Sequence, residues 1–156
     1  SELGILSLEI QRMPKESYVN FADTWKYPYM SVCATSTHDM NPLRAWWRED
    51  KRLSRDFWNH VLGQQGEAPQ ECTPEICRSI IMMHLQSSSA MAILPLQDYL
   101  SLFPKLCHKK PEDERVNIPS ITPYNWRYRM KVTIEDLLSH EITPYLLSLM
   151  QECGRK

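Results

Sequence analysis

The stretch MSVCATSTHD, residues 30–39, gives the strongest indication of the fold in this 156-residue chain. Its first half is a short apolar run, which predicts a strand buried on both faces, as strands of parallel sheets are. Its second half is polar and ends in His38 and Asp39. Polar residues directly after a buried strand are typical of a βα barrel, in which functional side chains lie at the carboxyl ends of the strands.

Two further apolar runs, residues 5–10 and 90–94, predict strands of the same kind. Polar residues follow each of them, Gln-Arg-Met-Pro after the first and Pro-Leu-Gln-Asp after the second. Helices are predicted from an Asn41 N-cap to about residue 62 and from Thr73 to about residue 86. This α/β alternation predicts part of a (β/α)8 barrel, because such a barrel usually needs eight strands and about 250 residues.

The last third of the chain is predicted to be irregular and then helical. A short helix follows the third strand to about residue 102, and residues 103–130 form a long irregular stretch. Helix starts are predicted at Thr133 and at Thr143-Pro144, and a helix end at Gly154.

Three tryptophans, Trp46, Trp47 and Trp58, recur at helical spacing in the segment after Asn41. Indole rings can stack on glucose rings, but on one face of an amphipathic helix they more often belong to the core. We therefore predict that these three residues are packed inside the protein.

Composition limits the classes of partner. The chain is 42% hydrophobic and 24% charged, with a formal net charge of -1. Without an excess of positive charge, binding to nucleic acid or to an anionic membrane is not expected. The apolar runs are also too short to cross a bilayer. The chain begins at Ser1 without Met, which suggests a piece of a longer protein.

The five cysteines show no Cys-x-x-Cys pair, so neither a disulfide framework nor a zinc site is expected. Cys72, Cys77 and His84 could be proposed as metal ligands. Their spacing is better explained by buried thiols in a reducing cytosol, and we expect a cytoplasmic protein without a metal ion.

The residues around Asp39 resemble a known family. Ser36–Met40, followed by Leu43–Trp47, resembles the seventh-strand motif of the 4-α-glucanotransferases of glycoside hydrolase family 77, most closely the large subgroup that carries starch-binding modules. Other blocks resemble the ends of the sixth and eighth strands and the closing motifs of the family, in order: Gln11–Lys15, Pro95–Asp98, Arg115–Pro119 and Asn125–Arg129. By this resemblance, residues 1–156 are the C-terminal portion of a catalytic barrel and not a complete domain.

The resemblance implies retaining chemistry with an Asp nucleophile and a Glu acid/base, whose carboxyls lie about 5 to 5.5 Å apart. Both would lie before Ser1. Asp39 matches the third carboxylate of the family, which stabilises the oxocarbenium-like transition state. His38 matches a donor to the same sugar, and Asn117 matches an acceptor-side sugar contact. The alternative is a structural role, in which Asp39 caps the next helix, although Asn41 lies closer to the start of that helix.

Gln97, Asp98 and Trp126 are candidates either for lining the site or for a structural role. Asp98 could equally pair with Arg115 or Arg129 and anchor the closing loop. The sequence also departs from many family members, because Met40-Asn41-Pro42 follows His38-Asp39.

One more carboxylate, Glu9, lies within the first predicted strand rather than at its carboxyl end. Because the family does not place a catalytic carboxylate there, we interpret Glu9 as a structural or surface residue.

The implied activity is transfer of an α-1,4-glucan segment to the 4-hydroxyl of an acceptor sugar, without a cofactor. The implied partners are maltooligosaccharides, starch or glycogen-like glucans, and the rest of the barrel, with neither nucleic acid nor membrane. The chain alone is expected to be inactive. Two alternatives stay open: a fragment of another retaining α-glucan hydrolase, and a non-enzymatic helical interaction domain.

Overall fold

The computed structural model describes residues 4–123 and 126–155. Its strands are β1 (Ser7–Ile10), β2 (Ser31–Ala34) and β3 (Met91–Ala92). They form a parallel sheet in the order β1-β2-β3. All three predicted strands are therefore present, each shorter than its apolar run.

The two faces of the sheet have different surroundings. Glu9, Cys33 and Ala92 are in register, and the Cys33 thiol lies 3.5 Å from the His84 carbonyl oxygen, so this face contacts the helices. Successive side chains of a strand point to opposite faces. Leu8 and Met91 therefore belong to the other face, where they are 52% and 51% exposed.

The other regular elements of the described chain are helices and short helical turns. A π-helical turn at Phe57–Val61 continues the second helix, and 3-10 turns lie at Thr24–Lys26, Pro104–Leu106 and Pro111–Glu114. The α-helices are α1 (Leu43–Glu49), α2 (Lys51–Asp56), α3 (Pro74–Leu85), α4 (Leu96–Leu100), α5 (Ile134–Ser139) and α6 (Ile142–Glu152).

The single helix predicted from Asn41 to about residue 62 is interrupted at Asp50. This residue has extended backbone angles, and its carboxylate accepts hydrogen bonds from the N–H groups of Arg52 and Leu53. Asp50 therefore acts as the N-cap of α2, a role that Asp favours because its oxygen satisfies N–H groups without helical partners.

The prediction that Asn41 caps this helix is wrong. The N-cap position of α1 is Pro42, whose side chain can accept no hydrogen bond, and the Asn41 amide donates to Glu49 instead. The Leu43 N–H donates at 2.8 Å to Asp98, which follows β3. A carboxylate distant in sequence has replaced the local cap.

Caps in the later helices follow the sequence in part. Thr73 caps α3, and Thr133 caps α5 within a reciprocal capping box. The predicted start at Thr143-Pro144 is wrong, because the N-cap position is Glu141 and α6 begins at Ile142, two residues before Pro144. Proline is tolerated there, since the first N–H groups of a helix have no partner within it.

The chain end also agrees with its prediction: α6 stops at Glu152, and Gly154 follows with φ +68°. A positive φ favours glycine, which has no Cβ to clash with the backbone.

An aromatic core lies between α1, α2 and α3. Trp46 and Trp47 are 8% and 0% exposed, and both meet Phe57 edge to face. The Trp47 indole also donates to the Pro69 carbonyl oxygen at 2.9 Å, and Trp58 packs against the same cluster. The core interpretation is confirmed for Trp46 and Trp47, whereas Trp58 is only partly buried at the edge of the core.

Cys72 and Cys77 agree with the interpretation that they are buried free thiols. Cys72 and Cys77 are buried, and their sulfur atoms lie 3.3 Å apart as free thiols. No cluster of three or more His, Cys, Asp or Glu side chains suited to a metal ion occurs within residues 4–123 and 126–155. In the same ranges, none of the helices has the length and apolar character that a membrane crossing requires.

Candidate active site

Three predicted site residues meet beyond the carboxyl end of β2, the central strand. The Asn117 amide donates to one Asp39 carboxylate oxygen, Oδ1, at 2.6 Å. The Asn117 N–H donates to the His38 carbonyl oxygen at 3.1 Å. A segment almost eighty residues further along the chain therefore fixes the side chain of Asp39 and the backbone beside it.

The other carboxylate oxygen of Asp39 faces His38, whose Nε2 lies 3.4 Å away. Both side chains are about half exposed, at 43% for Asp39 and 51% for His38. The His38 ring also stacks on Trp126, with ring centroids 4.7 Å apart and an angle of 33° between planes. Trp126 therefore joins the cluster, and the neighbouring motif residue Asn125 lies outside the described residues.

Arg115 ties the same two segments together. Its guanidinium donates to the Asp39 carbonyl oxygen at 2.8 Å and to the Asn117 carbonyl oxygen at 2.9 Å. It also donates to the Asn41 side-chain oxygen at 3.3 Å. The rigid geometry of an arginine fork suits such multiple contacts. The sequence placed Arg115 in a closing motif but gave no indication of these contacts.

Asp98 is fully buried, and its two oxygens accept hydrogen bonds from the Thr35 hydroxyl and the Leu43 N–H. Burial raises the pKa of Asp98, while the Thr35 hydrogen bond and the charge of Arg12 oppose that rise. These contacts replace the predicted pairing with Arg115 or Arg129. Asp98, rather than Asp39 or Asn41, thus accepts the hydrogen bond of the first N–H group of α1.

Gln97 is buried, and its amide donates to the Glu114 carbonyl oxygen at 3.1 Å. It lines a cavity of about 260 Å³ beside the strand ends, together with Ser36, His38 and Val116. Gln97 is thus both anchored to the later segment and adjacent to the His38 side of the cluster.

Glu9 is separate from this cluster. It lies on the face of the sheet that contacts the helices, accepts a hydrogen bond from Ser7 at 2.7 Å and forms an ion pair with Lys15. Its surroundings agree with the structural interpretation.

A buried ion pair that the sequence did not indicate supports the later segment. Arg44 and Glu114 lie 2.9 Å apart, and Glu114 also accepts from the His108 N–H. Burial raises the pKa of Glu114, and the positive charge of Arg44 opposes the rise. The pair connects α1 to the turn that precedes Arg115.

Arg12 was also missed. It donates to the Thr35 carbonyl oxygen at 3.0 Å and to the Asn41 carbonyl oxygen at 2.8 Å, and it stacks on Trp46 at 4.8 Å. Burial lowers the pKa of Arg12 to about 10, and the Asp98 charge opposes the fall. The available signal was its position in the polar cluster after the first strand.

The arrangement offers a half-exposed carboxylate with one oxygen positioned by an amide and the other beside an imidazole. Carboxylates and imidazoles both form hydrogen bonds with hydroxyl groups, and an exposed indole offers a flat apolar face. The cluster therefore suits a polyhydroxylated ligand such as a sugar.

Comparison with known proteins finds relatives of one family. The sequence model of a family described as 4-alpha-glucanotransferase matches residues 1–134. A 4-alpha-glucanotransferase of Oryza sativa subsp. japonica is 40% identical over 99% of this chain and 16% of its own length. One of Chlamydia trachomatis is 38% identical over 80% of this chain and 23% of its own length.

Among solved structures, an amylomaltase from Streptococcus agalactiae in complex with acarbose matches 99% of this chain and 28% of its own chain. The TM-score is 0.70 at 18% sequence identity, which establishes a shared fold. The chain thus spans about a sixth to a quarter of the curated relatives above. On the family match and these identities, the chain belongs to the 4-alpha-glucanotransferase family.

Proposed function

We propose that this chain is the C-terminal part of a 4-alpha-glucanotransferase and supplies its transition-state-stabilising carboxylate, Asp39. The parent protein would transfer an α-1,4-glucan segment from a maltooligosaccharide or glucan donor to the 4-hydroxyl of an acceptor sugar. The family match and the names of the relatives support the activity. The observation that carries the role of Asp39 is its position between His38 and Asn117 at the carboxyl end of the central strand.

The chemistry explains why a third carboxylate is useful. In a retaining mechanism one carboxylate attacks the anomeric carbon while a carboxylic acid protonates the leaving oxygen, through an oxocarbenium-like transition state. An additional carboxylate that binds the hydroxyls beside the reacting carbon stabilises the developing positive charge. The nucleophile and the acid/base belong to the part of the parent before Ser1, so the chain alone is inactive.

His38 and Asn117 would complete the sugar contacts. His38 is half exposed beside Asp39 and is supported from behind by Trp126, so its imidazole can reach a sugar hydroxyl. Asn117 fixes Asp39 and belongs to the segment that we assign to the acceptor side. Gln97 lines the adjacent cavity, and Asp98 has a structural role.

The exposed face of the sheet supports the assignment to a barrel. In an isolated chain Leu8 and Met91 are about half exposed on a parallel sheet, a type that is normally covered on both faces. We assign β1, β2 and β3 to the last three strands of a (β/α)8 barrel, whose remaining strands would complete the sheet and cover this face.

No metal or nucleotide is required by this mechanism, because a glycosyl-Asp intermediate retains the reactivity of the glycosidic bond. Transfer in preference to hydrolysis requires an acceptor site that excludes water. The expected substrates are maltooligosaccharides and starch- or glycogen-like glucans, and acarbose bound to the amylomaltase neighbour fits this class. We assign the parent to the cytoplasm, as the free buried thiols suggested.

The test is disproportionation of maltotriose by the full-length parent and its Asp39→Asn variant. We expect the parent to form both longer and shorter oligosaccharides. The variant should lose about 10³-fold or more in rate, with an unchanged free energy of unfolding. Asp113→Asn removes an exposed carboxylate elsewhere and is the matched control. Near-parental activity of Asp39→Asn would refute the proposed role of Asp39 in transition-state stabilisation. If the parent formed only products shorter than maltotriose, a hydrolase would be favoured.

A further inference from the structure

The segment that presents His38 and Asp39 is a loop anchored at both ends by two charged side chains, of which Asp98 is fully buried and Arg12 is partly buried. This Asp39 loop, residues 35–42, runs from the end of β2 to the start of α1. Arg12 reaches it from beyond β1, and Asp98 reaches it from beyond β3. The two anchors thus come from the strands on either side of the one that bears the loop.

Arg12 joins the two ends of the Asp39 loop directly. Its Nε donates to the Thr35 carbonyl oxygen and its Nη2 to the Asn41 carbonyl oxygen, at 3.0 and 2.8 Å. Because the guanidinium is planar, its N–H groups have a fixed spacing, and the stacked Trp46 ring further restricts its orientation. The distance between the two carbonyl oxygens is therefore set by one rigid group.

Asp98 joins the same two ends through different atoms. One oxygen accepts from the Thr35 hydroxyl, and the other accepts from the N–H of Leu43, the first residue of α1. Asp98 is completely buried, so these hydrogen bonds are not exchanged for contacts with bulk water. Its negative charge also opposes the loss of charge that burial favours for Arg12.

The contacts of Asp39 itself come from elsewhere. Asn117 binds its carboxylate, and Arg115 binds its carbonyl oxygen. These contacts determine the direction of the side chain, whereas the anchors determine where the loop starts and ends. A catalytic group must be placed to within about 0.5 Å, and such accuracy requires supporting residues with fixed conformations.

We propose that Arg12 and Asp98 are positioning residues for the reaction, which fix the Asp39 loop in the geometry that the transition state requires. This inference rests on the proposed function of Asp39. Arg12 and Asp98 lie behind the loop and act on the substrate only through it. Their loss should therefore lower kcat more than it raises KM, because ground-state binding uses many contacts and transition-state stabilisation depends on the exact site of one charge.

The chain contains a matched control for a purely structural arginine. Arg155 also donates to backbone carbonyl oxygens, those of Leu85, Ser87 and Ala90, at 2.5, 2.9 and 3.4 Å. Leu85 is the last residue of α3, and Ser87 and Ala90 lie between α3 and β3, before the strand rather than after it. Arg155→Lys therefore removes the same kind of contact at a place that does not contact the Asp39 loop.

The experiment measures kcat and KM for maltotriose and the urea midpoint of the full-length parent with Arg12→Lys, Arg155→Lys or Asp39→Asn. We expect Arg12→Lys to lower kcat about 10- to 100-fold with KM changed less than about 3-fold. Arg155→Lys should shift the midpoint similarly and leave kcat within about 2-fold of the parent. Equal kcat effects of the two arginine variants, or a raised KM with parental kcat, would overturn the proposal.

Asp98→Asn provides a second variant of nearly unchanged size, in case Arg12→Lys fails to fold. Its carbonyl oxygen can still accept from Leu43, but its amide must reverse the hydrogen bond with Thr35, so we expect the same loss of kcat. Parental kcat in a folded Asp98→Asn variant would overturn its positioning role. Near-parental activity of Asp39→Asn would instead refute the proposed function, so the two failures are distinguishable.

Discussion

Trp46 lies between two regions that are built from different contacts. On one side it meets Phe57 in the aromatic core, where edge-to-face ring contacts dominate. On the other side it stacks under Arg12, which begins the hydrogen-bonded support of the Asp39 loop. The core is made by apolar side chains, mainly from α1, α3 and the turn at Phe57. The loop is supported by polar side chains from beyond β1, from beyond β3 and from the segment around Asn117.

The difference has a functional consequence. A single dispersion contact is weak and has no preferred direction, whereas a catalytic carboxylate loses efficiency when it moves by about 1 Å. Damage to the core should therefore reduce stability with little effect on the chemistry of folded molecules. Damage around the Asp39 loop should reduce the reaction rate of folded molecules with a smaller effect on stability.

The largest effect on stability is expected for Trp47→Ala in the full-length parent. Trp47 is fully buried and its indole donates to the Pro69 carbonyl oxygen, so the truncation should cost about 3 to 5 kcal/mol of unfolding free energy. Trp25 is 63% exposed, and Trp25→Ala is the control, with an expected cost below about 1 kcal/mol. Chemical denaturation measures both, and similar costs would contradict the core assignment.

The next effect concerns pH and His84, a buried residue of the last turn of α3, whose Nδ1 lies 2.8 Å from the Ile80 carbonyl oxygen. Burial lowers the pKa of His84 from 6.5 to about 4. The unfolded chain therefore binds a proton first as the pH falls. The contribution of the neutral, buried His84 to the free energy of unfolding is fully present above pH 6.5. It is lost as the pH falls towards 4, by up to about 3 kcal/mol.

Denaturation of the parent and of His84→Gln over this pH range tests the prediction. The stability difference between the two proteins should shrink as the pH falls, because only the parent has the buried imidazole. A difference that stays constant from pH 7 to pH 4 would show that His84 does not titrate as its burial implies.

A smaller effect is expected for Asn117→Ala, which removes the amide from Asp39. The rate of maltotriose disproportionation should fall about 10- to 100-fold with nearly unchanged unfolding, because the carboxylate loses its fixed direction. Asn20→Ala is the matched control, since the Asn20 amide also donates to a carboxylate, that of Asp56, at 2.8 Å. Equal rates for the two variants would contradict the claim that the Asn117 amide supports the reaction through Asp39.

The smallest effect is expected at the start of α5. Thr133→Ala removes the side chain of the capping box and should cost about 1 kcal/mol of unfolding free energy. Thr143→Ala should cost less, because Thr143 lies inside α6 rather than at its cap. A larger cost at Thr143 would favour the helix start that the sequence alone suggested.

Local signals explain which sequence predictions were confirmed. Short apolar runs mark the three strands, and the Thr73-Pro74 pair marks the start of α3, because both features are decided by neighbouring residues. The cap of α1 was mispredicted for the opposite reason. Asn41 is the better local candidate, but the tertiary structure brings Asp98 to the Leu43 N–H and engages Asn41 with Glu49 and Arg115.

The candidate site divides in the same way. The motif around His38 and Asp39 was visible in the sequence, and its resemblance to a known family supplied Asn117 as a candidate. The sequence did not show that Asn117 binds the Asp39 carboxylate or that Trp126 stacks on His38. Arg12 was overlooked because one arginine in a polar cluster carries no signal of its distant partners.

The sequence by itself determined the family, the alternation of strands and helices, and the identity of the exposed carboxylate after the central strand. These features depend on residue types and on spacing over a few positions. Only the tertiary structure decided which side chains position that carboxylate. Such contacts join residues that are twenty to eighty positions apart in this chain, and their geometry depends on the packing of three strands and the helices around them.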